Sequence, residues 1–361
     1  MHLEIEQPKL LALLSRVTAA VEKRNTIPVL ANILLQAEGN TLTAIATDLD
    51  LEVTTTAEAT VIQEGSTTVN AATLQAIVSK LSKGKLVTLA IVKDTLAIKS
   101  GRSELELHTL PVEDFPRLAS SEYASTFQAE QAQVKRILDL ASFAMSTEET
   151  RYYLQGIYLH PIAGNMRGVA TDGHRLAQID SAIEADFPGV IVPRKSVALI
   201  AKLLDDGDAT VSVSETKFRI DLGHTVVVTK VIDGTFPDYS RIVPRDHKSE
   251  VVVSAADVKQ AAALVSLVSG EKIRAVKLSV ADAVLTLTVR SGAEVGIEEV
   301  DAELTGDPIE AGFNSKYLAD ILQQCNGDNA VLRFNGSGDP VVIKPQDDDG
   351  VTFVCMPLRI N

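Results

Sequence analysis

Three observations predict an α+β fold of three repeated domains, each with two helices on antiparallel sheets. Helical segments begin at Gln7, Gln131 and Ala255, each 124 residues after the one before. The pair Thr47-Asp48 recurs as Thr171-Asp172, again 124 residues on. Between the helices, apolar and polar residues alternate with the period of two expected of strands with one buried face. A period of this length marks repeated structural units.

Each unit justifies its elements in the same order. In the first, Gln7 to Arg24 (QPKLLALLSRVTAAVEKR) has apolar residues at helical spacing, and the strand Thr41 to Ala46 follows the hairpin-turn residues Glu38-Gly39-Asn40. A second helix is expected over Ala71 to Lys85. The second unit repeats the plan with helices over Gln131 to Ser146 and Pro193 to Asp206, turns at Gly164-Asn165 and Asp205 to Asp208, and a strand over Ala209 to Ser214. In the third, helices over Ala255 to Arg274 and Asn314 to Asn326 flank the strand Val284 to Val289, with a turn at Gly336 to Asp339. Pro116, Pro237 and Pro357, spaced 121 and 120 residues apart, close the units. The expected domains are 1–121, 122–245 and 246–361.

Composition narrows the function classes. The 361 residues are 45% hydrophobic and 23% charged, with 4% aromatics and no Trp, as in ordinary soluble globular chains. Two cysteines, Cys325 and Cys355, make no Cys-x-x-Cys pair and fit a reducing compartment, so a cytoplasmic protein is expected. No stretch is long and apolar enough for a membrane span, and Met1 to Glu6 has no leader pattern. The formal charge of -14 argues at first against a phosphate-bearing partner.

Catalytic and cofactor patterns are missing. The six histidines lie scattered without metal-ligand spacing, so no metal is expected. Thr171 to Arg175 has the residues of an active-site loop, yet no nucleophile elbow or Ser-x-x-Lys completes a catalytic set. Asp172-Gly173 reads more simply as a tight turn. Neither a P-loop nor a dinucleotide fingerprint exists, so no cofactor is expected. The charge is unevenly spread: the six helical segments together hold +9, leaving -23 for the remainder. Lys80, Lys83 and Lys85 contribute three unopposed charges in one segment. Basic helices in an acidic chain point back towards nucleic acid, against both a three-domain enzyme and a peptide-binding scaffold without DNA.

Several stretches, in order along the whole chain, resemble one family. They are Arg24 to Leu30 (RNTIPVL), Ser100-Gly-Arg102 with Leu110 to Pro116 (LPVEDFP), Arg151 to Gly156 (RYYLQG), Ala170 to Ala177 (ATDGHRLA), Val192 to Lys195 (VPRK), Asp233 to Tyr239 (DGTFPDY), Gly312 to Asn314 and Met356 to Arg359 (MPLR). The chain thereby resembles the bacterial DNA polymerase III β subunits, the sliding clamps. The resemblance implies the DNA clamp fold and a non-catalytic processivity factor. Two copies would join head to tail as a homodimer, a six-domain ring around double-stranded DNA gripped without sequence specificity. The implied partners are the DNA polymerase III catalytic subunit, the clamp loader, and other polymerases and repair proteins, recruited through a short Gln- and Leu/Phe-bearing motif.

The resemblance also implies site residues. The partner pocket would comprise Leu154, Thr171, Gly173, His174, Arg175, Leu176, Pro237, Arg241, Ile242, Tyr317, Pro340, Val354, Met356, Pro357, Leu358 and Arg359. Its aliphatic, Met and Pro walls suit an apolar peptide anchor. DNA would meet Arg24, Arg151, Tyr152 and Tyr153, with Arg194, Lys195 and the three lysines Lys80, Lys83 and Lys85 adding to the basic surface. Arg102, Leu105 and Leu107 would face Leu267, Val268, Glu294, Glu298 and Glu299 of a second copy. Glu104 departs from the family by standing where some relatives have a basic residue.

Overall fold

The computed structural model describes residues 1–22, 27–119, 121–268, 275–325, 327 and 329–359. Among the described residues, six α-helices fall where the repeat places them: α1 (Gln7–Val17), α2 (Ala71–Lys80), α3 (Gln131–Ser142), α4 (Arg194–Leu203), α5 (Ala255–Val265) and α6 (Ser315–Leu322). The repeat extends to individual buried positions. Leu10, Leu13, Leu14 and Val17 of α1 are buried, as are Val134, Ile137, Leu138 and Ala141 of α3 and Val258, Ala261, Ala262 and Val265 of α5. That i, i+3, i+4, i+7 spacing is a single apolar stripe used three times.

Helix starts are set by short polar side chains. Asn70 accepts from the Thr73 amide at 2.9 Å, Ser254 from Asp257 at 3.3 Å, and Asn314 from Lys316 at 2.9 Å. The helices are shorter than their sequence periodicity suggests. α1 passes into a 3₁₀ turn over Thr18–Ala20 and α5 into one over Ser266–Val268, while Lys83 and Lys85 lie beyond the end of α2. Lys23 and Arg24 fall outside the described residues. None of the described helices is long and apolar enough to cross a membrane.

The chain divides into two compact units, residues 1–135 with 183–232 and residues 136–182 with 233–361. Neither coincides with a repeat, because strands pair across the repeat boundaries. In the first unit, thirteen strands among the described residues form a sheet in which Leu51–Glu58 pairs antiparallel with Thr225–Lys230, Thr55 opposite Thr225 and Leu51 opposite Thr229. In the second unit, Arg175–Glu184 pairs in the same way with Val351–Cys355, Arg175 opposite Cys355 and Leu176 opposite Val354. Each junction thus joins the strand after a Thr-Asp turn to a strand from the next repeat.

Candidate functional site

The turn before the second junction is built by its own side chains. Asp172 Oδ1 accepts from the His174 and Arg175 amides at 2.9 and 3.0 Å, and Thr171 Oγ1 accepts from the Gly173 amide at 3.1 Å. Gly173 holds φ +87°, the left-handed region that glycine enters without steric cost. The turn aims His174 and Arg175 at the chain's last strand. Beyond that strand the tail runs between two edges: the Met356 amide donates to the His174 carbonyl at 2.8 Å, and the Leu358 amide to the Gly312 carbonyl at 2.8 Å.

Arg175 is the fixed point of this arrangement. Its guanidinium lies over the Tyr317 ring at 4.6 Å and the Phe143 ring at 5.2 Å, and pairs with Asp172 at 3.1 Å and Asp320 at 2.5 Å. His174 stacks on the other part of this wall, 5.9 Å from Tyr317 at an interplanar angle of 22°. Burial, helped by the Asp172 carboxylate, raises the Tyr317 phenol above its ordinary pKa and keeps it neutral. Leu154, Thr171, Leu176 and Val354 are buried, whereas Met356, Pro357 and Leu358 are partly exposed and Arg359 is exposed. Val341 pairs with Cys355, so continuing the register brings Pro340 beside Met356. A cleft of about 520 Å³ follows the tail, with Pro357, Leu358 and Arg359 facing Glu310, Gly312, Ser337 and Gly338.

Pro237, Arg241 and Ile242 are exposed on a separate segment containing a 3₁₀ turn over Tyr239–Arg241. That segment is fastened to the strand Gly156–Ile162, where Phe236 stacks on Tyr158 at 4.9 Å and the Tyr239 hydroxyl lies 2.8 Å from His160 Nε2. Sequence reasoning missed Phe143, Asp320, His160 and Gly312. Phe143 and Asp320 sit inside ordinary helical patterns, and only the fold brings them to Arg175.

The first unit holds a counterpart of this site with opposite chemistry. Asp48 Oδ1 accepts from the Asp50 and Leu51 amides at 3.0 and 2.7 Å, and the Leu49 amide donates to Thr47 Oγ1 at 3.1 Å. The Lys230 amide donates to the Asp50 carbonyl at 2.8 Å and the Ile232 amide to the Ile191 carbonyl at 2.9 Å, just as Met356 and Leu358 do in the second unit. Here, however, the residue matching Leu176 is Glu52, buried and held by Arg117 through two 3.0 Å bonds and by the Leu118 amide at 3.0 Å. An ion pair occupies the position that the buried Leu176 holds at the second junction.

The remaining expected residues are distributed as follows. Lys80, Lys83 and Lys85 are exposed. Lys195 is bound by Asp48 and, at 2.8 Å, by Glu22; burial disfavours its charge, but these carboxylates outweigh that and raise its pKa. Arg194 opens α4 and is partly buried. Arg151 pairs with Glu148 at 3.2 Å and donates to the Asp172 carbonyl at 3.2 Å, while Tyr152, 52% exposed, meets Tyr153 edge-on at 5.6 Å.

Two strands in different units present edges with few partners. Ser103–Leu110 pairs along Thr95–Ser100 on one side, while on the other, among the described residues, only Leu110 and Thr109 meet Thr68 and Val69. Leu105, 36% exposed, and Leu107, partly exposed, stand opposite the buried Ile98 and Leu96. Arg102 is exposed beside them, and Glu104 is bound by Lys99 at 2.6 Å. Glu294–Thr305 pairs with Val284–Ser291 over Glu294 to Asp301, and with Ser249–Ser254 over Ala302 to Thr305. Glu294, Val295, Ile297 and Glu299 are exposed on the first of these stretches, and Glu298 partly so. Nearby Leu267 is 78% exposed, and Val268 lies against the same strand, 3.1 Å from where a Gly296 side chain would begin.

Comparison with known proteins gives a consistent result. Family models described as the N-terminal, central and C-terminal domains of the DNA polymerase III beta subunit match residues 1–119, 128–238 and 240–359. The chain is 42% identical over 372 residues to the beta sliding clamp of Caulobacter vibrioides (strain NA1000 / CB15N), covering 100% of each. It is 34% identical over 369 residues to that of Pseudomonas aeruginosa, again covering 100% of each. Among solved structures, the DnaN sliding clamp from Bartonella birtlesii bound to griselimycin matches with TM-score 0.96 and 39% identity, over 100% of both chains.

Proposed function

Because the chain belongs to the DNA polymerase III beta subunit family, we propose that two copies close head to tail into a ring. The protein is a DNA sliding clamp, a non-catalytic processivity factor that associates with DNA polymerase III and encircles DNA. The ring would hold six domains, three from each chain with limits near residues 121 and 245. In this reading the strand edge at 103–108 of one copy lies beside the edge at 294–301 of the other. The observation that carries the dimer is this pair of under-paired edges, each beside exposed apolar residues. Such edges are liabilities in a lone chain and are relieved when a second chain covers them. Leu105 and Leu107 then meet Leu267 and Val268, and Arg102 meets Glu294, Glu298 and Glu299.

The partner groove lies along the tail at the second junction. An apolar anchor needs a dry apolar floor, which Leu176 and Val354 supply and the Glu52–Arg117 pair at the first junction does not. One groove per chain follows. Its occupants would be the polymerase catalytic subunit, the clamp loader and repair proteins, each bringing the same short motif. DNA would be held loosely by Lys80, Lys83, Lys85, Arg151 and Arg194, with Tyr152 and Tyr153 free to stack on an unpaired base. Lys195 enters this surface already neutralised by Asp48 and Glu22. Cys325 and Cys355, both buried with thiol pKa values pushed up to about 12 by burial, suit a reducing cytoplasm.

The decisive experiment compares retention on circular and linear DNA. Protein loaded on a nicked circle should remain bound through gel filtration and be lost once the circle is cut. Equal retention on both forms would overturn encirclement by a closed ring.

A further inference from the structure

Behind the segment carrying Pro237, Arg241 and Ile242 lies a polar node that the groove does not itself use. Tyr239, 9% exposed, begins the 3₁₀ turn that Arg241 ends, and the Ile242 amide closes the turn on the Tyr239 carbonyl at 2.9 Å. The Tyr239 hydroxyl sits 2.8 Å from His160 Nε2 and 3.3 Å from Arg167 Nη1. Arg167 is in turn gripped by both oxygens of Asp180, Nη2 to Oδ2 at 2.9 Å. His160 Nδ1 lies 3.0 Å from the Pro161 carbonyl, and its ring stacks on Tyr158 at 4.7 Å.

These distances define one direction of hydrogen bonding. With Nδ1–H donating to the Pro161 carbonyl, neutral His160 has a lone pair on Nε2 to accept the Tyr239 hydroxyl proton. The Tyr239 oxygen then accepts from Arg167. A proton added to His160 reverses one bond: Nε2–H would point at an oxygen already taken by Arg167, and the hydroxyl proton would lose its acceptor. Two cations would share one phenol oxygen. The groups facing His160 are Tyr158 on its own strand, Arg167 and Asp180 on the next two strands, and Tyr239. Burial foremost, then the Arg167 charge, depress its pKa, against the Pro161 carbonyl and Asp180, which favour the proton.

We propose that His160, Arg167 and Tyr239 are positioning residues for the partner groove, holding the Pro237–Arg241–Ile242 wall in place while His160 is neutral and releasing it on acidification. This rests on the reading of the tail groove as the peptide site. The sign follows from a depressed pKa: docking is unaffected at neutral pH and weakens only as pH falls below the ordinary imidazole value of 6.5.

The test titrates a short labelled peptide carrying Gln, Leu and Phe into the full-length protein, by fluorescence anisotropy across the range from neutral to mildly acidic pH. Wild type should lose about two- to tenfold in affinity on acidification, the effect of one hydrogen bond. Tyr239→Phe should show a similar loss at neutral pH and no further step, and His160→Gln should remove the step. His174 is present in every variant, so the difference between profiles isolates His160. Arg167→Lys, which keeps a charge opposite Asp180 while losing the Tyr239 bond, should match Tyr239→Phe; unchanged melting temperatures check that the variants fold. If Met356→Ala abolishes binding while Tyr239→Phe and wild type show parallel, equal profiles, the node is overturned. If Met356→Ala leaves binding intact, the groove reading falls and takes the node with it.

Discussion

Gly173 and Leu49 occupy the same place in two repeats, and both hold the left-handed backbone, at φ +87° and +80°. A side chain at that φ costs about 1–2 kcal/mol. The first unit tolerates this cost, and the second avoids it with glycine. Gly173→Ala should therefore destabilise the protein by about 1–2 kcal/mol in urea unfolding. Its new Cβ would also stand 2.8 Å from Arg151 Nη1 and displace that side chain from the Asp172 carbonyl, weakening peptide binding. A variant as stable as wild type would show that the turn relaxes freely. At this scale the sequence was legible where chemistry is local: Asp172-Gly173 reads as a tight turn, and Thr47-Asp48 marks the matching place in the first repeat. It was silent on Glu52 and Leu176, because whether a strand residue meets an ion-pair partner or an empty apolar floor depends on Arg117, 65 residues away.

Among the elements, strands were the easier to anticipate, since an alternating pattern directly records one buried and one wet face. Helix positions were also legible, but their ends were not. Periodicity carried α2 on to Lys85, whereas the chain leaves the helix after Lys80, before the Lys83-Gly84-Lys85 turn. Strand pairing was invisible, because nothing local in Glu294–Thr305 says that Glu294 to Asp301 pairs on one side and Ala302 to Thr305 with a different strand. That strand makes a prediction at its own scale. Leu267 is 78% exposed, so Leu267→Asp should change the stability of an isolated chain by less than about 0.5 kcal/mol. Burying a leucine contributes about 1.5–3 kcal/mol at each of the ring's two interfaces, so the same substitution should raise the dimer dissociation constant by about two to four powers of ten. Sedimentation velocity over a dilution series measures it, and an unaltered dissociation constant would remove Leu267 from the interface.

Over the whole molecule, the formal charge of -14 describes solubility and little else. What matters for DNA is where the cations stand, and Lys80, Lys83 and Lys85 stand exposed. Replacing all three with Glu should weaken binding to duplex DNA and reduce the salt dependence of its logarithm by about one unit per lysine. An unchanged slope would place these lysines away from the phosphates. The three-fold repeat was legible because the helical stripe and the closing proline recur in all three repeats and the Thr-Asp pair in two; the two compact units were not, because they arise from strands crossing repeat boundaries. That crossing also sets an order of events during synthesis. Thr55 and Thr225 share a hydroxyl hydrogen bond at 3.0 Å across 170 residues of sequence. The strand Leu51–Glu58 therefore leaves the ribosome long before the strand that will cover it, and waits with an open flank until residue 230 has emerged. Contacts of such separation slow folding and leave nascent strands prone to mispairing. A chain stopped after the first repeat would keep that flank open permanently, so the repeats, although alike, are not independent folding units.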